Sequence, residues 1–487
     1  MIPLSLGDVA GLVGGRLHGA DPATAVTAVE VDSRAVAPGA LFAALRGERT
    51  DGHDHAGDAL AGGAVAVRAE RPLDGLACVV VPAEPAGRAH GAGGVLAALQ
   101  LLAHRTFSRD QPLTFGVTGS NGKTSTKDLL AGVLGAFGPT LAPVGSFNNE
   151  LGLPLTVLRR EPGTQYAALE YSSRGVGHIR FLTGIVQPDV VVVLNVGSAH
   201  LGEFGSVQTI ASAKGELVEA ARTAVVLNAD DPLVAGMRER AQVPVTGFGL
   251  GSPGSRHGAD VRATGVELDD QGRASFTLET EHGSHPVRLR LHGEHVVSNA
   301  LACAAAVLAA GVTTDVGRLA ELLSAATPTS RWRMELTERA DGVTVVNDAY
   351  NANPESMRAA LKTLAVMSRG KTRRTVAVLG LMGELGPTER EQHMDLGRFV
   401  VRLDVSRLIV VGPQAGGIYA GAVLEGSWGR EASHVADVAE AIAVLRAEVR
   451  AGDVVLVKAS RSAGLERVAA ALLEDPPPAG TTAEGAR

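Results

Sequence analysis

Apolar positions along this chain fall into two rhythms. In 113–117, 166–171, 190–196 and 224–227 they form near-continuous aliphatic runs, such as Val190-Val191-Val192-Val193-Leu194. Such runs predict strands of a parallel sheet buried on both faces. A helical pattern over 127–137 follows the first of them. The stretch 260–291 alternates apolar and polar residues instead, which predicts an antiparallel ribbon. An alanine-rich helix is predicted over 296–310 and a second over 315–325. From residue 330 the strand–helix alternation resumes, with strands at 343–346, 375–379, 408–411 and 454–457. The first hundred residues carry shorter elements: strands at 28–31, 41–45 and 64–67 and a helix at 56–62. The charged loop 46–54 among them is too polar for a core. The chain is therefore read as α/β with three domains. These are a small N-terminal α/β domain (1–109), a central parallel-sheet domain (110–329) and a C-terminal Rossmann-like domain (330–474). The segment 475–487, rich in Pro, Gly and Thr, is expected to be a disordered tail.

Composition narrows the class. A length of 487 residues suits about three domains, and 45% hydrophobic content is enough for sizeable cores. A net charge of −7 leaves no basic footprint for nucleic acid. The two cysteines, Cys78 and Cys303, lie in apolar runs and read as reduced core residues of a cytoplasmic protein. No apolar run reaches membrane-spanning length, and the start of the chain lacks the basic residues of a signal peptide. Only six lysines (Lys123, Lys127, Lys214, Lys362, Lys371, Lys458) stand against 39 arginines. Where arginine replaces lysine so freely, a retained lysine points to a need for the compact, deprotonatable ammonium.

The strongest chemical signal is Thr118-Gly119-Ser120-Asn121-Gly122-Lys123-Thr124-Ser125, between the strand 113–117 and a helix. Glycines let the backbone wrap a phosphate with its N–H groups inward, and a helix N-terminus adds positive potential. Lys123 reaches the terminal phosphates and Thr124 offers a hydroxyl to Mg²⁺. The strict P-loop spacing would place a further glycine at Val117. Other polar groups gather at strand ends, where ligands of a doubly wound sheet converge. Glu170 ends one strand; Asn195, followed by His200, ends the next. Glu170 and His200 fit a metal held by nucleotide phosphates, and His200 alone reads equally as a polar loop residue. Lys214, in Ala213-Lys214-Gly215-Glu216, reads on its face as an exposed helix lysine. His295 and Asn299 share a helix face at i, i+4 and fit either a base or ribose, or a cap and a solvated face. Asp348, Tyr350, Asn351 and Asn353 crowd one strand end beyond what a helix cap at Asn353-Pro354 needs. With the loops 380–386 and 458–462 they predict a substrate site on the third sheet's edge.

These residues together resemble the Mur ligase family. The resemblance runs to about Leu473 through TGSNGKT (118–124), NNELGLP (148–154), NVGSAHLGEFGS (195–206), AKGE (213–216) and LNADD (227–231). It continues through GEHVVSNALA (293–302), RMEL (333–336), NDAYNANPESM (347–357) and LGLMGELG (379–386). The DAYNANP and LMGELG forms, and the lack of a DNPR-type motif, resemble the member that adds a dipeptide. The resemblance implies ATP-dependent amide ligation through an acyl phosphate, joining D-Ala-D-Ala to UDP-N-acetylmuramoyl-tripeptide. It implies a cytoplasmic monomer that uses ATP and two Mg²⁺. Carried over by motif, Lys123 would hold the phosphates, and Thr124, Glu170 and His200 the metal. Lys214 would be carbamylated and hold the second Mg²⁺. Arg333 would lie by the γ-phosphate, His295 and Asn299 by adenosine, and Asp348 by the ribose. Lys123, Lys214, His200 and Arg333 would be the catalytic set. Ser33, Arg34, Gly47, Asp51 and His53 would hold the UDP end. Asn148, Asn149, Tyr350, Asn351, Asn353, Lys458 and Ser460 would complete the substrate site. Two places depart from the family pattern: Tyr171-Ser172-Ser173 in place of Met-Gly-Ala, and Ala459 in place of glycine. Both are expected near the acyl-acceptor region.

Overall fold

A computed structural model describes residues 1–47, 50–82, 93–198, 201–250, 258–368, 373–426 and 429–474. The expected tail 475–487 lies outside these, as does Lys371. Among the described residues, three large sheets organise three α/β units. The central sheet has nine strands. Within it, the strand Leu113–Thr118 pairs in parallel with Val190–Val193 on one side and Tyr166–Glu170 on the other. The valine-rich strands are wholly buried because helices cover both faces: Lys123–Gly135 and His295–Ala309 on one, Val207–Glu219 and His178–Ile185 on the other.

The ribbon expected over 260–291 is three strands, and it is not separate. Val261–Leu268 pairs in parallel with Val245–Gly249 at the sheet's edge, and Arg273–Thr280 and Gly283–His292 continue from it antiparallel. The strand Val245–Gly249 escaped the sequence reading because Pro244 and two glycines interrupt its apolar run.

The third sheet has six strands, all parallel except the edge strand Glu335–Glu338. The first unit holds a five-stranded sheet built around Ala40–Ala43 and Ala66–Ala69. A helix the sequence did not announce, Gly94–Phe107, joins this unit to the second. It is apolar nearly all round because it packs against the first unit's Leu6–Val13 and the second unit's Gly152–Leu158. Its Gln100 donates to the Glu150 carbonyl at 2.9 Å. Cys78 and Cys303 are buried free thiols. No helix among the described residues is long and apolar enough to cross a membrane.

Arg68, on Ala66–Ala69, is fully buried, and none of its guanidinium nitrogens has a partner among the described residues. Burial lowers its pKa to about 10. An unpaired buried charge is costly. Arg68→Met should therefore stabilise the protein by about 1–4 kcal/mol, read as a higher melting temperature in calorimetry. An unchanged or lower melting temperature would mean that the fold depends on the charge.

Candidate active site

The strand Leu113–Thr118 delivers the chain into the glycine loop. Val117 is buried in that strand, paired with Glu170 and Val192, so the wrap begins only after it and needs no glycine there. Gly122 has φ +80°, and a Cβ on it would stand 2.6 Å from Asn299 Oδ1. Glycine is required on both counts. The helix starts at Lys123, one turn ahead of the sequence reading, which puts Lys123 and Thr124 in its first turn. Asn195 braces the loop. Its Oδ1 accepts the Asn121 N–H at 2.8 Å, and its Nδ2 donates to the Asn121 carbonyl at 3.2 Å. Ser120 Oγ accepts the Gly197 N–H at 2.8 Å. Lys123 Nζ donates to the Gly119 carbonyl at 2.7 Å. Ser125 follows in the first helical turn, half-buried. Thr118 turns away, its hydroxyl donating to the Tyr171 carbonyl at 2.8 Å beneath the loop. That hydroxyl is spent on joining two strand ends.

Glu170 is fully buried at the next strand end. Its Oε2 accepts Asn148 Nδ2 at 3.0 Å, and its Oε1 has no partner among the described residues. Lys123 stands within its field, and also within that of Arg333. Desolvation dominates, and lowers the Lys123 pKa to about 8. Lys214 is not the exposed helix lysine its sequence suggests. It lies on Val207–Glu219 at 5% exposure with no hydrogen-bond partner among the described residues. Burial, and then repulsion from Lys123, hold its ammonium well below the usual lysine range. The neighbouring Glu216 does not neutralise it, because its carboxylate accepts the N–H groups of Gly177 and Arg180. His200 lies outside the described residues.

The third unit completes the site. Arg333 is held between two left-handed residues, Trp332 (φ +60°) and Met334 (φ +50°). Side chains that large rarely adopt this backbone, and such strain persists only where the surroundings enforce it. The Arg333 guanidinium lies 4.2 Å from the Tyr350 ring centre. Its Nη2 donates to Thr124 Oγ1 at 2.9 Å and to Ser146 Oγ at 3.1 Å. Asn353 does two things: its Oδ1 caps a helix by accepting the Ser356 N–H, and its Nδ2 donates to Asn121 Oδ1 at 2.6 Å. Glu355 accepts the Ser198 N–H at 2.9 Å and the Ser198 hydroxyl at 3.1 Å.

Other expected contacts take different forms. Asp348 and Lys458 form a pair at 2.6 Å, and the second Asp348 oxygen accepts the Met334 N–H. Asp348 thus anchors the Arg333 segment. Lys458 also donates to the Asn351 carbonyl at 3.0 Å, and the exposed Asn351 turns its Oδ1 onto the Ala352 N–H. Ser460 Oγ accepts the Gly383 N–H and so staples two loops. Asn149 caps the helix Gly152–Leu158 through its Oδ1, whereas Asn148 reaches Glu170. His295 is exposed at the start of its helix while Asn299 is buried under Gly122, which splits the i, i+4 pair.

In the first unit, Arg34 is exposed and pairs with Asp32 at 2.7 Å, beside Ser33. Gly47 closes a turn onto the Thr50 carbonyl. His53 is buried with both ring nitrogens engaged, Nδ1 with Asp51 at 2.6 Å and Nε2 with the Glu70 N–H at 3.2 Å. It shapes this loop and has no nitrogen left for a ligand. Within the two departures from the family pattern, Tyr171 and Ala459 sit elsewhere than expected. The Tyr171 hydroxyl donates to the Val186 carbonyl at 2.7 Å, and its ring fills the space beside Gly116. Ala459 points into the core against Gly380. Both are packing choices beneath the sheets.

Three family models match the chain, one to each unit. "Mur ligase family, catalytic domain" matches residues 25–88, "Mur ligase middle domain" 117–307, and "Mur ligase, glutamate ligase domain" 332–461. This chain belongs to the Mur ligase family. The UDP-N-acetylmuramoyl-tripeptide–D-alanyl-D-alanine ligase of Mycobacterium leprae is 48% identical over 98% of this chain and 99% of its own length. That of Escherichia coli K12 is 34% identical, over 98% and 99%. Among solved structures, MurF from Acinetobacter baumannii superposes with a TM-score of 0.83 at 33% identity, covering 97% of this chain and 99% of that one. MurF ligase from Thermotoga maritima in complex with ADP gives 0.75 at 28%, covering 92% and 97%. The three-domain Mur ligase architecture is that of this chain.

Within this Mur ligase, sequence reasoning missed Ser146, Glu355 and the strained residues around Arg333. Glu355 was visible only as the first-turn acid of a helix. Ser146 carried no signal, since its meaning comes from two partners distant in sequence.

Proposed function

We propose that this Mur ligase joins D-alanyl-D-alanine to UDP-N-acetylmuramoyl-tripeptide with cleavage of ATP to ADP and phosphate, during cytoplasmic assembly of a peptidoglycan precursor. The observation that carries this reading is the sharing of one phosphate site by two units. Arg333 of the third unit rests on Thr124 of the second, beside Lys123 and Lys214. Two cationic side chains, Lys123 and Arg333, meet at the site with one buried carboxylate, Glu170, in the field of Lys123, an arrangement suited to a polyanion.

The chemistry follows from charge. The tripeptide carboxylate must attack the γ-phosphorus of ATP, and two anions repel. Lys123, at the helix N-terminus, neutralises the phosphates and the charge that develops on the leaving ADP. Arg333, fixed by Tyr350 and its strained neighbours, meets the transferring phosphoryl group from the opposite side. The carboxylate oxygen forms its bond to phosphorus as the β–γ bridging bond breaks, giving an acyl phosphate and ADP. The neutral dipeptide amine then adds to the acyl carbon. The tetrahedral adduct expels phosphate and loses a proton to leave the amide. The donors fit Mg²⁺: the Thr124 and Ser146 hydroxyls and the orphaned, buried Glu170 Oε1 are hard oxygens. Bound there, it would supply further neutralisation between the two anions.

Lys214 is proposed to carry a carbamate. Its desolvated amine favours the neutral form that reacts with CO₂, and the product carboxylate would balance Lys123. In the first unit, Ser33, Arg34, Gly47 and Asp51 are proposed to hold the UDP end, with His53 supporting the loop. The domain limits 1–109, 110–329 and 330–474 and a monomeric state complete the proposal.

The test is phosphate release with UDP-N-acetylmuramoyl-tripeptide and a panel of amines: D-Ala-D-Ala, D-Ala-D-lactate, D-Ala-D-Ser and free diamino acids. D-Ala-D-Ala should lead by well over tenfold, because a site built around hydrogen-bonding groups strongly rejects analogues that lack them. A preference for an amine without the D-Ala-D-Ala core would move the protein to a different ligation.

A further inference from the structure

Segment 143–149 touches the phosphate site twice. Ser146 Oγ lies 2.9 Å from Thr124 Oγ1 and accepts from Arg333. Asn148 Nδ2 donates to Glu170, and the Asn148 carbonyl accepts the Ser172 N–H at 3.1 Å. Yet this arm is poorly embedded. Val144 is 73% exposed, Phe147 is 41% exposed, and Gly145 between them has φ +67°. Val144 faces water, and Phe147 has the Arg159 guanidinium at 5.9 Å from its ring centre, a loose contact that leaves the loop weakly held.

What fixes the arm is its root. The Pro143 carbonyl accepts Lys127 Nζ at 3.0 Å, and the same ammonium pairs with Asp128. Lys127 is 2% exposed and lies one turn beyond Lys123 on the phosphate-loop helix. Proline fixes its own φ, so holding its carbonyl sets the direction in which the chain leaves. A guanidinium is broader than an ammonium, and this is one of only six lysines in a chain that otherwise uses arginine.

We infer that Lys127 is a positioning residue of the nucleotide site: it sets arm 143–149 so that Ser146 and Asn148 meet Thr124 and Glu170. The inference rests on the nucleotide reading of the phosphate loop. Lys127 acts through the arm and touches no substrate.

The test pairs Lys127→Met with Asp128→Asn, which removes the donor without stranding a buried carboxylate. Affinity for a non-hydrolysable ATP analogue should fall about tenfold, the lower end of what loss of such outer partners costs, and KM for ATP should rise in step. KM for D-Ala-D-Ala should not change. Amide exchange over 143–149, measured without nucleotide, should accelerate while the rest of the helix keeps its protection. A variant that melts lower but keeps both analogue affinity and slow exchange over 143–149 overturns the inference. If that pair does not fold, Lys127→Gln serves in a double-mutant cycle with Ser146→Ala. The loss caused by Ser146→Ala should shrink in the Lys127→Gln background, and strict additivity overturns the inference. Failure of the wild-type protein to bind the analogue at all would overturn the nucleotide reading instead, and the exchange arm would still report on Lys127.

Discussion

Lys123→Ala should abolish ligation in a protein that remains folded. Lys123 is the cation nearest the helix N-terminus, bonded to the Gly119 carbonyl at 2.7 Å and facing Glu170. Loss of a charge contact made in the transition state costs about 10²–10³ in rate. The fold should tolerate the change, because burial already lowers this lysine's pKa from 10.5 to about 8. The sign of the linkage supports this. The unfolded chain holds the proton up to 10.5 and the folded one only to about 8, so wild-type stability rises with pH across that window. Lys123→Ala should lack that rise.

Nucleotide binding has the opposite sign. Phosphates favour the protonated form, so affinity is full below pH 8 and falls as pH rises above it. Calorimetry at pH 8.5 in two buffers of different ionisation enthalpy should reveal proton uptake on binding an ATP analogue. Near-normal turnover by a folded Lys123→Ala protein would remove the assignment.

Lys214→Arg should be as inactive as Lys214→Ala, although it preserves charge and bulk. A guanidinium cannot carry a carbamate. Without that anion, the site would hold Lys123, an added guanidinium and Arg333 against Glu170 alone. Losses of at least about 10²-fold are expected in both variants. Short carboxylates should partly rescue Lys214→Ala, whose cavity admits them, and not Lys214→Arg, whose side chain fills it. Carbon NMR under labelled CO₂ should show a carbamate carbonyl in the wild-type protein and none in either variant. Full activity of Lys214→Arg would rule the carbamate out.

Much of the site was legible because its signals are local. The glycine loop, the strand before it and the helix after it lie within some twenty residues, and the glycines, Lys123 and Thr124 are there for backbone reasons that operate at short range. Asn353-Pro354 was legible as a helix start for the same reason, and its Oδ1 does cap that helix. Its Nδ2 bond to Asn121 was not, because that bond spans 232 positions of sequence. His53, Ser460 and Asp348 show the converse case. Each is a polar residue in a suspicious loop, and each has its side-chain polar atoms committed to neighbouring backbone or to a paired charge.

The sequence by itself determined the parallel sheets and the place of the phosphate loop. Unbroken valine runs have no other way to bury both faces, and a glycine loop between strand and helix has one geometry. It also marked Lys214 as unusual through its retention among so many arginines. Only the tertiary structure decided that Lys214 is buried with no hydrogen-bond partner among the described residues and that Asn299 lies beneath Gly122. It alone showed that Tyr171 and Ala459 face cores rather than the acceptor, and that Arg333 crosses from one unit to the phosphate loop of another. These facts depend on which loops of separate sheets meet. That is set by the packing of whole units, and no pattern confined to one stretch of chain encodes it.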